Sequence, residues 1–120
     1  MFIRVGDAEI FSVDYGRGDR TLVAHGGWIG SWEVYADTFS VLSRNWRTVA
    51  YDHRGSGATI APVASIGFDR LVADLFAMLD ALKIERCVLA AESAGAAVAL
   101  QAALQQPERF EGLVLLAAYY

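Results

Sequence analysis

Short apolar runs and amphipathic stretches alternate along almost the whole chain. Residues 2–5 and 10–15 are apolar runs separated by a Gly-Asp pair, and this arrangement predicts a β-hairpin. Residues 20–25 and 46–51 are further short runs, each followed by a polar segment that contains glycine. Apolar runs of this length, bounded by turn residues, are typical of buried strands.

Three segments between or after these runs have helical character. Residues 71–82 carry leucines at helical spacing, residues 31–43 repeat large apolar side chains at similar spacing, and an alanine-rich stretch ends near Gln105. A last apolar run covers residues 113–118. The predicted order is β-β-β-α-β-α-β-α-β, which indicates an α/β fold with a mostly parallel sheet and helices on both faces.

A serine stands at the corner between the fifth predicted strand and the helix after it. The strand covers residues 87–91, and Ser93 follows with Ala91 and Gly95 two positions away on either side. Small residues there let strand and helix pass closely, and the tight turn holds the serine in a strained backbone conformation. The pattern is A-x-S-x-G rather than the usual G-x-S-x-G, and by itself it also fits a helix N-cap. Ser93 is a candidate nucleophile whose support depends on the rest of the chain.

Composition limits the chain to one domain and narrows its partners. Its 120 residues are 55% hydrophobic, which is enough for one core. The net charge is -4 and the basic residues are scattered, which argues against nucleic-acid binding. Apolar runs are shorter than the roughly 18 residues of a membrane span, and the first residues lack a secretory pattern. We therefore expect a cytoplasmic protein without a membrane partner.

The sequence gives little support for a metal or a nucleotide cofactor. Cys87 is the single cysteine, so an intramolecular disulfide is excluded, and we expect a small buried hydrophobe there. Spacings of cysteine and histidine typical of metal sites are absent. Gly55 and Gly57 begin a G-x-G pattern, but Ile60 stands where a dinucleotide fingerprint needs glycine. We predict neither cofactor nor metal.

Three glycine-bearing turns follow predicted strands, at residues 25–28, 52–57 and 91–95. They read His-Gly-Gly-Trp, Asp-His-Arg-Gly-Ser-Gly and Ala-Glu-Ser-Ala-Gly. The carboxyl ends of parallel strands are where such sheets bind ligands. In this order, the three motifs resemble those of the alpha/beta hydrolase family over essentially the whole chain.

The resemblance implies roles for four residues. Ser93 matches the family's nucleophile, and the backbone amides of Ala94 and Gly27 match the donors of its oxyanion hole, with Trp28 a less favoured donor. Trp28 is also placed to form an aromatic wall over an acyl pocket. A small-molecule acyl substrate is implied, and the serine separates the chain from family branches that use aspartate at this corner, such as dehalogenases and epoxide hydrolases.

Other conspicuous residues have structural interpretations. In the family, the histidine that matches His25 orients its turn by hydrogen bonding. If the sheet order follows the family, His53 starts two strand spacings, roughly 10 Å, from the corner, which is far for a general base. Asp52 and Arg54 are expected to brace their own turn. Glu92 could line the pocket or face solvent, and the sequence leaves both open.

The resemblance also predicts that part of the catalytic machinery lies outside this chain. The family's triad runs serine, acid, histidine, with the last two on loops beyond the sixth strand. No histidine follows Ser93, and Glu108 and Glu111 lie at the start of the last strand, at the wrong edge of the sheet. We therefore expect residues 1–120 to form a single incomplete domain, truncated after the sixth strand and nearly inactive alone.

A sheet that ends at its sixth strand leaves an apolar edge without a partner. The edge predicted here runs over residues 112–118, from Gly112 to Ala118. We expect a C-terminal segment, a separate polypeptide or a second copy to cover it. Two functions remain: a serine hydrolase of an ester-like or other acyl substrate, and a non-catalytic binding protein that keeps the pocket without turnover.

Overall fold

The computed structural model describes residues 1–118, which form one sheet with helices on both faces. The strands are β1 (Phe2–Val5), β2 (Ala8–Tyr15), β3 (Thr21–His25), β4 (Arg47–Tyr51), β5 (Cys87–Glu92) and β6 (Phe110–Leu116). The helices are α1 (Ala36–Leu42), α2 (Phe68–Ala81) and α3 (Gly95–Gln105), with short 3₁₀ turns at Trp32–Tyr35, Val63–Ser65 and Pro107–Arg109. The predicted order of strands and helices is confirmed.

The sheet has the order β1-β2-β4-β3-β5-β6. The hairpin β1-β2 pairs antiparallel, β2 pairs antiparallel with β4, and β4, β3, β5 and β6 run parallel. β3 therefore lies between β4 and β5, as expected, and its turn at the carboxyl end is flanked by the turns of both neighbours. This order brings the three glycine-bearing motifs together at the carboxyl ends of the parallel strands.

Side chains alternate along the parallel strands between two hydrophobic clusters. Val23, Val49 and Leu89 face one side and pack with apolar residues of α2 and α3. Ala24 and Ala50 face the other side and pack with residues of α1 and the 3₁₀ turn before it. Both faces are covered, which explains why the strands of this sheet are continuous apolar runs.

Two elements differ from the predicted bounds. The segment predicted as one helix over residues 31–43 starts as a 3₁₀ turn, and the α-helical part begins at Ala36. The last strand starts at Phe110 and ends at Leu116, rather than covering residues 113–118. Phe110 is buried opposite Cys87 in the ladder, so the strand extends through the polar Glu111, which a pattern of continuous apolar residues does not detect.

β6 is the outer strand of the described sheet on that side. It is largely apolar, yet Val114 is 44% exposed and Leu116 is 51% exposed. Glu111, near its start, pairs with Arg20 at 3.3 Å, at the end of the sheet away from Ser93. In residues 1–118, no helix has the length and apolar character needed to cross a bilayer.

Candidate active site

Ser93 is the corner residue between β5 and α3. β5 ends at Glu92 and α3 begins at Gly95, so only Ser93 and Ala94 connect the strand to the helix. Ser93 has a φ of 50°, a left-handed conformation that costs a non-glycine residue on the order of 1 kcal/mol or more. Its backbone N–H donates to the carbonyl of Leu116 at 2.9 Å, and its side chain is exposed. The fold therefore holds an accessible hydroxyl in a strained corner.

Two glycines let the turn after β3 pack directly against this corner. A Cβ on Gly95 would lie 2.4 Å from the carbonyl oxygen of Gly26, so only glycine fits there without moving backbone. A Cβ on Gly27 would lie 3.2 Å from the Cβ of Ser93. Ala91, which stands where the usual motif has glycine, is fully buried in the core, so its extra methyl group is accommodated. Gly27 and Ser93 are thus neighbours in space.

His25 and His53 hold the peptide groups on both sides of Gly27. The Nδ1 of His25 lies 2.8 Å from the carbonyl oxygen of Gly26, and this carbonyl shares a peptide plane with the Gly27 N–H. The Nε2 of His53 lies 2.7 Å from the carbonyl oxygen of Gly27. The two buried rings stack at 5.2 Å between centroids. Together they fix the direction of the amide at Gly27.

The hydrogen bonds of both histidines point to backbone carbonyls. The Nδ1 of His25 contacts the Gly26 carbonyl, and the Nδ1 and Nε2 of His53 lie 3.1 Å and 2.7 Å from the carbonyls of Arg54 and Gly27, while no hydrogen bond from either ring to Ser93 occurs within residues 1–118. The expected orienting role of His25 agrees with this geometry. The His53 ring reaches from the turn after β4 to the turn after β3 and, in the described part of the chain, makes no hydrogen bond to Ser93.

The turn after β4 is held by Asp52 and Arg54. Asp52 accepts hydrogen bonds from the backbone N–H groups of Trp32 and Ala58, both at 2.8 Å. Arg54 is buried and forms two hydrogen bonds with Asp74 of α2, at 2.7 and 3.0 Å. These contacts agree with the expectation that both residues brace the turn.

Glu92, which the sequence left open, turns toward the site. Its Oε1 accepts a hydrogen bond from the backbone N–H of Gly27 at 3.3 Å, and the residue is half-buried. Burial, with a further contribution from the Glu92 charge, raises the pKa of the nearby Tyr35 phenol well above its ordinary value. The phenol donates to the carbonyl of His25 at 2.9 Å and so supports the same turn.

A cavity of about 250 Å³ adjoins these turns. Ile66, Leu71 and Val98 form an apolar wall, which sequence reasoning missed because their elements meet only in the folded chain. Trp28 is at the rim, since it lines the cavity while 82% of the residue is exposed. The remaining lining residues are His25, Gly26, Gly27, Ile29, His53, Arg54, Gly55, Ala94 and Gly95. Both predicted oxyanion residues, Gly27 and Ala94, therefore line an apolar space, whereas Ser93 does not line it within residues 1–118.

Cys87 is fully buried, as expected for a small hydrophobe. Burial raises the pKa of its thiol to about 12, so the thiol stays protonated and unreactive at neutral pH. It lies at the start of β5, at the other end of this strand from Ser93. Cys87 therefore contributes packing and no chemistry.

Burial of His25 predicts a pH-dependent stability. Desolvation, reinforced by His53, lowers the pKa of His25 from 6.5 to about 4. Between these values the unfolded chain binds the additional proton, so the free energy of unfolding falls as the pH drops from 6.5 to 4, by up to about 1.4 kcal/mol per pH unit. Urea titrations at several pH values should show this slope reduced in His25→Asn, whose amide can still donate to Gly26. An equal slope in both proteins contradicts the assignment.

The comparisons with known proteins identify the family to which this fold belongs. The family model for the alpha/beta hydrolase fold matches residues 20–119. The chain belongs to the alpha/beta hydrolase family, and its fold is the one that the three motifs implied. The match includes the turns after β3 and β4 and the corner at Ser93.

Individual relatives carry the names of hydrolases. A RutD protein of Pseudomonas syringae, which its name assigns to carbamate hydrolysis, is 35% identical over 100 residues, covering 82% of this chain and 39% of its own length. A 2-hydroxy-6-oxo-2,4-heptadienoate hydrolase of Pseudomonas putida is 34% identical, covering 97% and 43%. The crystal structure of epoxide hydrolase VrEH1 from Vigna radiata superposes with a TM-score of 0.93 at 28% identity, over 100% of this chain and 40% of that one. The chain thus spans about two fifths of the length of these proteins.

Proposed function

We propose that this chain is the nucleophile-bearing part of a serine hydrolase that acts on an ester-like or other acyl substrate. The observation that carries the proposal is the strained, exposed Ser93 at the corner of β5 and α3, with Gly27 packed against it. In this role the Ser93 hydroxyl attacks the substrate carbonyl, the leaving group departs, and water then hydrolyses the acyl-enzyme.

The backbone N–H groups of Gly27 and Ala94 are the proposed oxyanion hole. The Gly27 N–H already binds a carboxylate oxygen, which supports its ability to hold a negatively charged oxygen. Ala94 is the N-cap of α3, and the first amides of a helix lack partners within the helix and lie at the positive end of its dipole. Donors of this kind stabilise the charge that develops on a carbonyl oxygen in the transition state.

The identity of the nucleophile favours acyl transfer over epoxide opening, even though an epoxide hydrolase is among the similar structures. A carboxylate that opens an epoxide forms an ester, which water can hydrolyse. A serine hydroxyl that opens an epoxide would form an ether, which has no carbonyl for water to attack. Ser93 can therefore be regenerated after reaction with an acyl substrate, whereas reaction with an epoxide would leave it as a stable ether.

The cavity is the proposed acyl pocket, with Trp28 at its rim. The described residues bound about 250 Å³ of it beside Gly27 and Ala94, which supports binding of an acyl group there. Ile66, Leu71 and Val98 give it an apolar wall. Acyl transfer by a serine nucleophile uses groups of the protein itself, so we propose no metal and no cofactor.

The acid and the histidine of the triad are proposed to come from outside these 120 residues. His25 and His53 are engaged with backbone carbonyls, and the chain spans about two fifths of the length of its relatives. We propose that further strands, from a C-terminal continuation or a separate polypeptide, pair with the exposed edge of β6 and carry the acid and the histidine. The amino-acid sequence that the gene encodes after residue 120 tests this directly.

The exposed edge predicts how the 120-residue chain behaves alone. Unpaired backbone groups beside apolar side chains favour association, so sedimentation should detect aggregates or dimers. Val114→Lys puts a charge on the edge and should reduce association, whereas the same change at the already exposed Val41 of α1 should not. A monodisperse monomer that unfolds cooperatively would contradict the proposal.

Labelling with a fluorophosphonate tests the nucleophile in the protein as its gene encodes it. We expect mass spectrometry to locate the phosphonyl group on Ser93, and Ser93→Ala to abolish labelling. Ser40→Ala, an exposed serine of α1, is the matched control and should label normally. Absence of labelling in the intact protein contradicts the hydrolase proposal.

The second candidate is a binding protein of this fold without turnover. One contact favours it: Glu92 occupies the Gly27 N–H, which is one of the two proposed oxyanion donors. Such a protein would bind a small ligand in the same cavity and leave Ser93 unlabelled. The fluorophosphonate experiment therefore separates the two functions.

A further inference from the structure

The carboxylate of Glu92 occupies a space between two glycines close to the proposed nucleophile. Glu92 is the last residue of β5 and directly precedes Ser93, and its Oε1 accepts the Gly27 N–H at 3.3 Å. A Cβ on Gly30 would lie 2.8 Å from the same oxygen, so glycine at this position leaves the space that the carboxylate fills. Gly27 and Gly30 together form a cradle for one negatively charged group.

The described part of the chain offers no counter-charge to Glu92. The ion pairs within residues 1–118 do not include it. Arg54 lines the cavity next to Gly27, but its guanidinium is paired with Asp74 and Asp7. The other residues of the cavity wall are neutral or histidine. Glu92 itself does not line that cavity within residues 1–118, but a substrate carbonyl bound at the Gly27 amide would lie close to its negative charge.

We infer that Glu92 is a specificity-determining residue, which disfavours acyl groups that carry a negative charge and admits neutral ones. The inference rests on the proposed hydrolase function, since it concerns the acyl group attached to Ser93. A substrate carbonyl has to take the Gly27 N–H from the carboxylate. Because Glu92 and Ser93 are consecutive residues, the displaced carboxylate stays near the acyl group, where it repels an anion in a site partly shielded from water.

A matched pair of substrates tests this inference in the protein as its gene encodes it. The pair consists of the 4-nitrophenyl half-ester of adipic acid, which is an anion at neutral pH, and its methyl-capped form, which is neutral. We expect wild type to favour the neutral ester, and Glu92→Gln to lower the neutral-to-anionic ratio of kcat/KM by about three- to tenfold, as Coulomb repulsion over several ångströms predicts. Raising the salt concentration should lower the neutral-to-anionic ratio of kcat/KM more in wild type than in Glu92→Gln.

Glu108→Gln is the matched control, because it removes the same charge from an exposed position before β6. It should leave the ratio unchanged. Glu92→Ala, which removes the carboxylate without an amide in its place, should lower the ratio as Glu92→Gln does. If the ratio is unchanged in both Glu92 variants while Ser93 is still labelled by a fluorophosphonate, the inference about Glu92 is wrong and the hydrolase proposal stands. Absence of labelling overturns the hydrolase proposal and this inference with it.

Discussion

Ser93→Ala is expected to lower the turnover of a neutral 4-nitrophenyl ester by about 10⁶-fold in the complete protein, as loss of the nucleophile does in triad enzymes. The residual rate would come from binding and from the oxyanion amides, which alanine at this position leaves in place. Initial rates with wild type and variant at matched concentration measure the effect. A variant that keeps more than about a tenth of the rate would contradict the role of Ser93.

The strained backbone at Ser93 can be tested separately, through the stability of variants at this position. Its φ of 50° is disfavoured for alanine as for serine, whereas glycine adopts it readily. Ser93→Gly should therefore be as inactive as Ser93→Ala but more stable than it, by about 1 kcal/mol in the free energy of unfolding. Equal stability of the two variants would mean that the corner stores no strain.

Arg54→Met is expected to destabilise the fold by about 3–5 kcal/mol, because it leaves a buried carboxylate without its partner. The side chains of Arg54 and Asp74 are 1% and 4% exposed, and the guanidinium also bonds to Asp7 and Ser65, at 2.9 and 2.8 Å. These bonds tie α2 and the hairpin turn to the turn after β4. Urea unfolding of both proteins measures the loss.

Arg4→Met is the matched control for this prediction. Arg4 pairs with Glu9 at 2.7 Å, but the two side chains are 69% and 39% exposed, so the loss should stay below about 1 kcal/mol. The double variant Arg54→Met with Asp74→Leu should recover part of the stability, since no unpaired charge remains buried. If Arg54→Met costs no more than Arg4→Met, the buried network does not stabilise the fold as we expect.

The sequence predicted the elements of the fold well because their signals are local. Periodicity within a few residues located the hairpin, the parallel strands and α2, and the small residues around Ser93 predicted the corner. The errors lie where local signals weaken. The strand β6 starts at Phe110 because that residue pairs with Cys87, 23 positions earlier, and the polar Glu111 interrupts its apolar run.

The candidate site was predictable to the level of backbone motifs. The three glycine-bearing turns indicated one shared site at the carboxyl ends of the parallel strands, and the family resemblance implied that Gly27 and Ala94 lie beside Ser93. The contact between Glu92 and Gly27 joins residues 65 positions apart, and the bond between His53 and Gly27 joins residues 26 positions apart. Such contacts depend on side-chain directions that follow from packing.

The sequence by itself determined the alternation of strands and helices, the turn residues and the strained serine corner, because each depends on backbone preferences over a few positions. Only the tertiary structure decided which groups surround that corner. In the folded chain, the Glu92 carboxylate contacts the Gly27 amide, Arg54 is buried between α2 and the hairpin turn, and both histidines contact backbone carbonyls. The partners of long polar side chains are determined by burial and distance in the folded chain, and these partners are remote in sequence.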